Sequence, residues 1–176
     1  MNNWNKIFKP IVVLSVICVV ITGALALTND ITKPIIEEAT RKAQDAARLE
    51  LLPEADSFTK VDGITVTDVA DVYVANNGVG AVVTSTAKGY GGTMTVMVGF
   101  TAEGTIRQIK VTENAETKGI GSKVAGDPAF WTRFEGLEAK ELTLGADVDG
   151  LSGATVSSKA LTAAVNSAIE AYNAIG

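Results

Sequence analysis

The sequence predicts an α+β protein, in which an N-terminal transmembrane helix is followed by one domain with an antiparallel sheet and flanking helices. Three observations predict this class. Residues 11–27 form an uncharged apolar run, residues 58–111 contain alternating apolar and polar segments, and residues 155–175 repeat apolar residues at helical spacing. We therefore divide the chain into a tail and anchor at residues 1–30, a connecting helix at residues 31–57 and a domain at residues 58–176.

The apolar run would cross most of a membrane, because its 17 residues reach about 26 Å as a helix against a hydrocarbon core of about 30 Å. Lys6 and Lys9 precede the run and Asp30 follows it. The positive-inside rule then predicts a single-pass cell-membrane protein with a cytoplasmic N-terminus and its domain on the outer face. Ala24-Leu25-Ala26 resembles a signal-peptidase site, so a cleaved signal peptide is the alternative. The length of the run favours a retained anchor.

The connecting helix is predicted from apolar residues at helical spacing up to about Leu52. Thr32 is predicted to cap this helix, with Pro34 in its first turn and Pro53 ending it. The helix either continues from the anchor or bends at Pro34.

Four strands are predicted in the segments at residues 63–75, 79–87, 92–100 and 105–113. Ala102, Glu103 and Gly104 should form a hairpin turn. The connections are too short for crossover helices, which makes the strands antiparallel. Asp127 and Pro128 should cap and begin a short helix. The last helix begins within residues 155–175, and its core stripe is Leu161, Val165, Ala168, Ile169 and Tyr172.

The composition excludes several classes of function. The chain has a formal charge of −5, and it has no basic stripe of the kind that binds nucleic acid. It has no histidine, which removes the commonest general base and metal ligand, and we expect no metal site and no catalytic residues. The single cysteine, Cys18, can form neither an internal disulfide nor an iron–sulfur cluster alone.

The segment "DGLSGATVSS", residues 149–158, has the composition of a turn and also of a phosphate site. Thr155 stands at the entry to the last helix, where backbone N–H groups and the helix dipole attract anions. Gly153 and Ala154 would let a phosphate approach the backbone, and Ser157 and Ser158 could donate further hydrogen bonds. The alternative is that Thr155 or Ser157 simply caps the helix. The segment contains neither a P-loop motif nor a serine-hydrolase elbow.

Asp149-Gly150-Leu151-Ser152-Gly153-Ala154-Thr155 resembles the D-x-x-[ST]-G-A-T flavinylation motif of FMN-binding domains. The resemblance implies that residues 58–176 are such a domain and that Thr155 carries FMN through a phosphoester bond. In that family a flavin transferase moves FMN from FAD onto the threonine outside the cytoplasm. Asp149 and Ser152 would then serve recognition or turn geometry, and Thr155 would be a tether without a catalytic role.

Two more segments resemble signature blocks of the RnfG family, the subunit designated G of the Rnf electron transport complex. The resemblance covers roughly residues 10–176. The first block is residues 89–100, in which Tyr90 and Gly91 would lie at the flavin. The second is residues 113–124, where Lys118 and Ile120 replace the proline and leucine of the usual E-T-P-G-L-G.

The resemblance implies that the backbone of this second block lies against the flavin ring. The alternative is that its glycines only form turns. The expected flavin contacts there are Glu116, Thr117, Gly119, Ile120 and Gly121.

The resemblance implies a redox subunit that carries electrons on covalent FMN within a membrane-bound, ion-translocating ferredoxin:NAD⁺ oxidoreductase. The chain has no dinucleotide fingerprint, cysteine cluster or multi-span unit, so other subunits would have to bind NAD, oxidise ferredoxin and move ions. Two alternatives are NqrC, the covalent-FMN subunit of the Na⁺-translocating NADH:quinone oxidoreductase, and another exported flavoprotein electron carrier. A membrane-anchored binding domain without flavin is the alternative from a different class.

Overall fold

A computed structural model of the chain describes residues 3–114 and 121–175, and it describes side chains for residues 8–113 and 123–175. The chain divides into two compact units, Met1–Gln44 and Asp45–Gly176. The predicted α+β class is confirmed, because an apolar N-terminal helix is followed by a five-stranded antiparallel sheet with further helices.

The first helix, α1, is continuous over Asn3–Leu51 and contains Pro10 and Pro34. From Phe8 onward it is long and apolar enough to cross a membrane. The predicted cap at Thr32 is wrong, because its hydroxyl donates back to the carbonyl of Thr28 at 2.8 Å, as threonines inside a helix do. The chain therefore follows the first of the two predicted alternatives and continues from the anchor without a new start.

The sheet is a meander in which each strand pairs with the next: β1 (Phe58–Lys60), β2 (Val69–Ala75), β3 (Gly80–Lys88), β4 (Thr93–Thr101) and β5 (Ile106–Asn114). The predicted strand at residues 63–75 begins too early. Asp68 takes a left-handed φ of +64°, and the Val69 N–H bonds back to the carbonyl of Val66 at 3.3 Å. These contacts form a turn, so the alternating residues before Asp68 lie outside the sheet.

One face of the sheet carries the main core and is covered by α4 (Thr155–Asn173), with α2 (Gly121–Gly126) and α3 (Pro128–Trp131) beside it. Leu161, Val165, Ala168 and Ile169 are buried as predicted. Tyr172 is half-buried, stacks on Phe100 and donates its hydroxyl to the carbonyl of Thr101 at 2.9 Å. Burial raises the pKa of the Tyr172 hydroxyl.

The opposite face packs against the last turn of α1 through Ala47, Leu51 and Leu52. A side chain at Gly99 would meet the Cβ of Leu51 at 3.1 Å, so this position of β4 allows the close approach of the helix. Arg48 is only 2% exposed, with its guanidinium 3.6 Å from the ring centre of Tyr73 and 2.5 Å from the Asp45 carboxylate.

Two predicted local features are present. The Gly104 N–H donates to the Thr101 carbonyl at 3.1 Å in the turn between β4 and β5, and the φ of Gly104 is +80°. The Asp127 side chain accepts a hydrogen bond from the Ala129 N–H at 3.0 Å, with Pro128 as the first residue of α3. A 3-10 turn, Thr132–Phe134, continues from α3.

Candidate functional site

The loop before α4 is a tight turn over Leu151, Ser152, Gly153 and Ala154. The Ala154 N–H donates to the Leu151 carbonyl at 3.0 Å, and Gly153, the third residue of the turn, has a φ of +80°. This combination is typical of a type II turn, which requires glycine at that position. A Cβ at Gly153 would meet no atom of the described chain within 4 Å, so the glycine serves the backbone and leaves open space beside it.

Thr155 is the first residue of α4, and its side chain is exposed. The cap position belongs to Ala154, which makes no side-chain capping hydrogen bond, so neither Thr155 nor Ser157 occupies the cap as the alternative required. Among the residues that the structure describes, the Thr155 hydroxyl has no hydrogen-bond partner. Thr155 thus presents an unengaged hydroxyl where the first N–H groups of the helix also lack intrahelical acceptors.

The serines of the segment divide between surface and interior. Ser152 is exposed in the turn, whereas Ser157 and Ser158 are buried. The Ser158 hydroxyl accepts a hydrogen bond from the Leu151 N–H at 3.1 Å, while the Ser158 carbonyl accepts one from the Thr162 hydroxyl at 3.0 Å. The Ser158 side chain thus ties the Leu151–Ala154 turn to the first helical turn of α4.

Asp149 begins the motif with an exposed carboxylate. Its backbone carbonyl accepts a hydrogen bond from Nη1 of Arg133 at 2.7 Å, and the same guanidinium lies 5.1 Å from the ring centre of Phe130. Gly150 lies under the Leu144 side chain, 3.5 Å from where its own Cβ would be. The start of the motif is therefore held by the 3-10 turn that carries Arg133.

The segment that leads into the motif is fastened to the middle of α4. The Asn166 side chain accepts from the Leu142 N–H and donates to the Leu142 carbonyl, both at 2.9 Å. Together with the hydrogen bond from Leu151 to Ser158, this contact holds the segment before α4 against the helix.

In the described residues, the start of α4 with Thr155, the β3–β4 turn that begins the first block and the end of β5 in the second block lie at one end of the sheet. Tyr172, near the end of α4, bonds to Thr101 at the end of β4, whereas Ala164 in its middle accepts from the Ser85 hydroxyl at 2.8 Å. The start of α4, with Thr155, consequently points toward the β3–β4 turn. Tyr90 stands in that turn and is 76% exposed.

The second block, residues 113–124, begins at the end of β5, which ends at the same side because Asn114 pairs with Met94 near the start of β4. Glu116, Thr117, Gly119 and Ile120 lie outside the described residues, so their expected flavin contacts remain predictions. Gly121 begins α2, which packs against both β5 and α4.

Residues that the sequence did not single out also build this end of the domain. The Trp131 indole N–H donates to the Val124 carbonyl at 3.0 Å and so ties α3 to α2. Arg133 and Asn166 reach residues 16 and 24 positions away. Contacts between residues this far apart in the sequence cannot be predicted from local residue spacing.

Two family profiles match the chain. The profile described as "FMN-binding domain" matches residues 89–170, and that described as "RnfG N-terminal region" matches residues 1–51. A crystal structure of NqrC from Shewanella oneidensis is similar with a TM-score of 0.48 at 19% identity, covering 69% of this chain and 71% of that one.

Two relatives match over nearly their whole length. One is the subunit designated G of the Na⁺-translocating ferredoxin:NAD⁺ oxidoreductase complex of Acetobacterium woodii, which is 33% identical over 97% of this chain and 93% of the relative. The other is the subunit designated G of the proton-translocating ferredoxin:NAD⁺ oxidoreductase complex of Clostridium ljungdahlii, which is 30% identical over 94% and 91% respectively. The chain therefore belongs to the RnfG family of Rnf complex subunits and contains an FMN-binding domain.

Proposed function

We propose that this chain is the electron-carrying subunit of a membrane-bound, ion-translocating ferredoxin:NAD⁺ oxidoreductase complex, and that it holds FMN covalently through a phosphoester on Thr155. The observation that supports this site is that Thr155 is exposed at the start of α4, directly after the turn at residues 151–154 of the motif. Membership of the RnfG family supports the place in the complex.

Attachment by a flavin transferase needs an acceptor hydroxyl that a second protein can reach. The Thr155 oxygen would attack the FMN phosphorus of FAD, forming the Oγ–P bond as the pyrophosphate P–O bond breaks and AMP leaves. The hydroxyl proton would pass to a base on the transferase, since this chain has no histidine. Asp149, Ser152 and Gly153 are exposed beside Thr155, where a transferase would contact them.

Electron transfer is the role that the chain's own residues support. The bound FMN supplies the redox chemistry, and the protein binds and orients it. We assign the support of the ring to the end of the domain where Tyr90 and Gly91 lie in the β3–β4 turn, where β5 ends and where Gly121 begins α2. A tethered cofactor cannot diffuse away between partner subunits, which suits a relay. Those partners would oxidise ferredoxin, bind NAD⁺ and move the ion.

We propose that α1 is a retained membrane anchor with the N-terminus in the cytoplasm and the FMN domain on the outer face. Its apolar part could span a membrane, and Lys6 and Lys9 precede that part. The outer location gives an exported transferase access to Thr155.

Intact mass of the purified full chain tests the proposal. Co-expression with a flavin transferase should add the mass of FMN minus water, located by peptide mapping on Thr155. Thr155→Ala should lose the added mass, whereas Thr143→Ala, at another exposed threonine, should keep it. A colourless protein without added mass would favour the binding-domain alternative. Co-purification with an NADH:quinone oxidoreductase would instead favour the NqrC alternative, which the match at residues 1–51 disfavours.

A further inference from the structure

Lys159 lies one helical turn after Thr155 on the exposed face of α4. Thr155, Lys159 and Ala163 are exposed, whereas Ala160, Leu161 and Ala164 are buried. Side chains four residues apart on a helix have Cβ atoms about 5–6 Å apart. A phosphate on the Thr155 oxygen would extend into the reach of the flexible Lys159 side chain.

Several cations of the second unit are already engaged with carboxylates. The ion pairs there are Arg48–Asp45, Lys60–Asp71, Arg107–Glu54, Lys110–Glu50 and Lys140–Glu138. Lys159 and Arg133, like Lys88 and Lys123, have no carboxylate partner among the residues that the structure describes.

Arg133 contacts the first residue of the motif loop. One of its nitrogens, Nη1, is used by the Asp149 carbonyl, and the guanidinium is exposed beside Phe130. A guanidinium carries five N–H donors, so this contact leaves donors for an anion at the loop. The Asp149 carboxylate is exposed nearby, and its negative charge makes the potential at the motif loop less positive. It forms no ion pair with Arg133 in the described structure.

We propose that Lys159 and Arg133 form a cationic clamp on the phosphodiester that ties FMN to Thr155. This inference rests on the proposed attachment at Thr155. The phosphodiester bears one negative charge, which the two cations of the clamp would offset. Lys159 supplies a mobile point charge from the helix, whereas Arg133 supplies planar donors already oriented by the Asp149 carbonyl and the Phe130 ring. Both are positioning residues, since they restrict how the tether can rotate and take no part in electron transfer.

The clamp has a consequence for the flavin itself. A phosphodiester attached only through Thr155 leaves the ribityl chain free to swing about several single bonds. Fixing the phosphate removes the rotations nearest the protein and narrows the set of ring positions. The ring should therefore keep one orientation at the Tyr90 end of the sheet.

The experiment uses the full chain, flavinylated and purified in detergent, and compares Lys159→Gln with Lys159→Arg and Lys140→Gln. Lys140 is a matched control because it is exposed and paired with Glu138. The ³¹P NMR signal of the phosphodiester and the fluorescence anisotropy of the flavin are measured for each protein. Lys159→Gln should shift the ³¹P signal and lower the anisotropy, Lys159→Arg should restore both, and Lys140→Gln should change neither. Arg133→Gln should act in the same direction as Lys159→Gln.

A second readout needs no substitution. Amine-reactive acetylation, followed by peptide mapping, should modify Lys159 severalfold more slowly in flavinylated than in unflavinylated chain, with Lys140 reacting equally in both. Unchanged ³¹P signal and anisotropy in fully loaded Lys159→Gln protein would overturn the clamp and leave the attachment at Thr155 standing. Absence of the FMN mass from wild-type chain would overturn the proposed function and the clamp together.

Discussion

The Thr155 hydroxyl either serves flavin attachment or caps α4. The stability of unflavinylated Thr155→Ala distinguishes the two roles, because only a capping hydroxyl stabilises the helix. A helix-capping threonine costs about 0.5–2 kcal/mol when it is replaced by alanine. Thr155 follows the cap position, and its exposed hydroxyl has no partner in the described part of the chain. Alanine has the higher helix propensity, by at most about 0.7 kcal/mol. We therefore expect unflavinylated Thr155→Ala to be equally stable, or more stable by up to about 0.5 kcal/mol.

The matched comparison is Ser158→Ala, three residues along the same helix. Ser158 is 0% exposed, and its hydroxyl accepts from the Leu151 N–H at 3.1 Å. Its loss leaves the partly buried Leu151 N–H without this partner, at a cost of about 1–3 kcal/mol. The two hydroxyls of one segment should thus have opposite consequences: Thr155→Ala abolishes flavin attachment without a loss of stability, and Ser158→Ala destabilises the motif loop.

The assay is thermal unfolding of unflavinylated full chains in detergent, followed by near-ultraviolet circular dichroism. For a domain of this size 1 kcal/mol corresponds to roughly 3–5 °C in Tm. Thr155→Ala should lie within about 2 °C of wild type or above it, and Ser158→Ala should fall by about 3–15 °C. A Tm for Thr155→Ala more than about 3 °C below wild type would refute the reasoning, because it would show that the hydroxyl supports the helix.

Three further predictions concern other parts of the molecule. Gly119→Val should leave FMN attachment at least partly intact but shift the flavin spectrum and midpoint potential. The control Gly104→Val strains a turn at φ +80° and should have no specific flavin effect. An unchanged spectrum in fully loaded Gly119→Val would show that the glycines of residues 113–124 have a structural role only. Gly99→Val should lower stability by about 1–3 kcal/mol in denaturant titration, because its Cβ would lie 3.2 Å from the Leu51 carbonyl oxygen; an unchanged midpoint would contradict that packing. Protease outside spheroplasts should digest the domain, and protection of the domain with loss of the cytoplasmic tail would reverse the proposed topology.

Elements with strong periodicity were predictable from the sequence. The α+β class, the β4–β5 turn and the start of α3 all follow from local rules, and each is present. The errors arose where one local pattern fits two structures. Thr32 fits a cap, but a threonine hydroxyl inside a helix can also bond to the carbonyl four residues before it, as it does to Thr28. Alternation before Asp68 fits a strand, but the left-handed φ of Asp68 turns the chain there.

The candidate site was predictable only in its local part. The motif located the turn and the helix start, and Gly153 has the positive φ that explains its residue type. Ser158 was predicted to be able to donate a hydrogen bond to a phosphate; in the structure it is buried, and its hydroxyl accepts from the Leu151 N–H. Arg133 and Asn166 hold the loop through contacts with distant backbone groups, and a single sequence has no pattern that reports such pairs.

The structure gives each described residue of the motif a separate physical task. Gly153 supplies the backbone angle of the turn, and Ala154 is small enough to be 4% exposed while it takes the cap position without a polar side chain. A serine or aspartate at Ala154 would cap the helix and compete for the first N–H groups. Alanine has no side-chain oxygen to cap those groups, and the Thr155 hydroxyl that follows has no hydrogen-bond partner among the residues that the structure describes. The proposed attachment at Thr155 would place the FMN phosphate at this helix start, which no side chain caps.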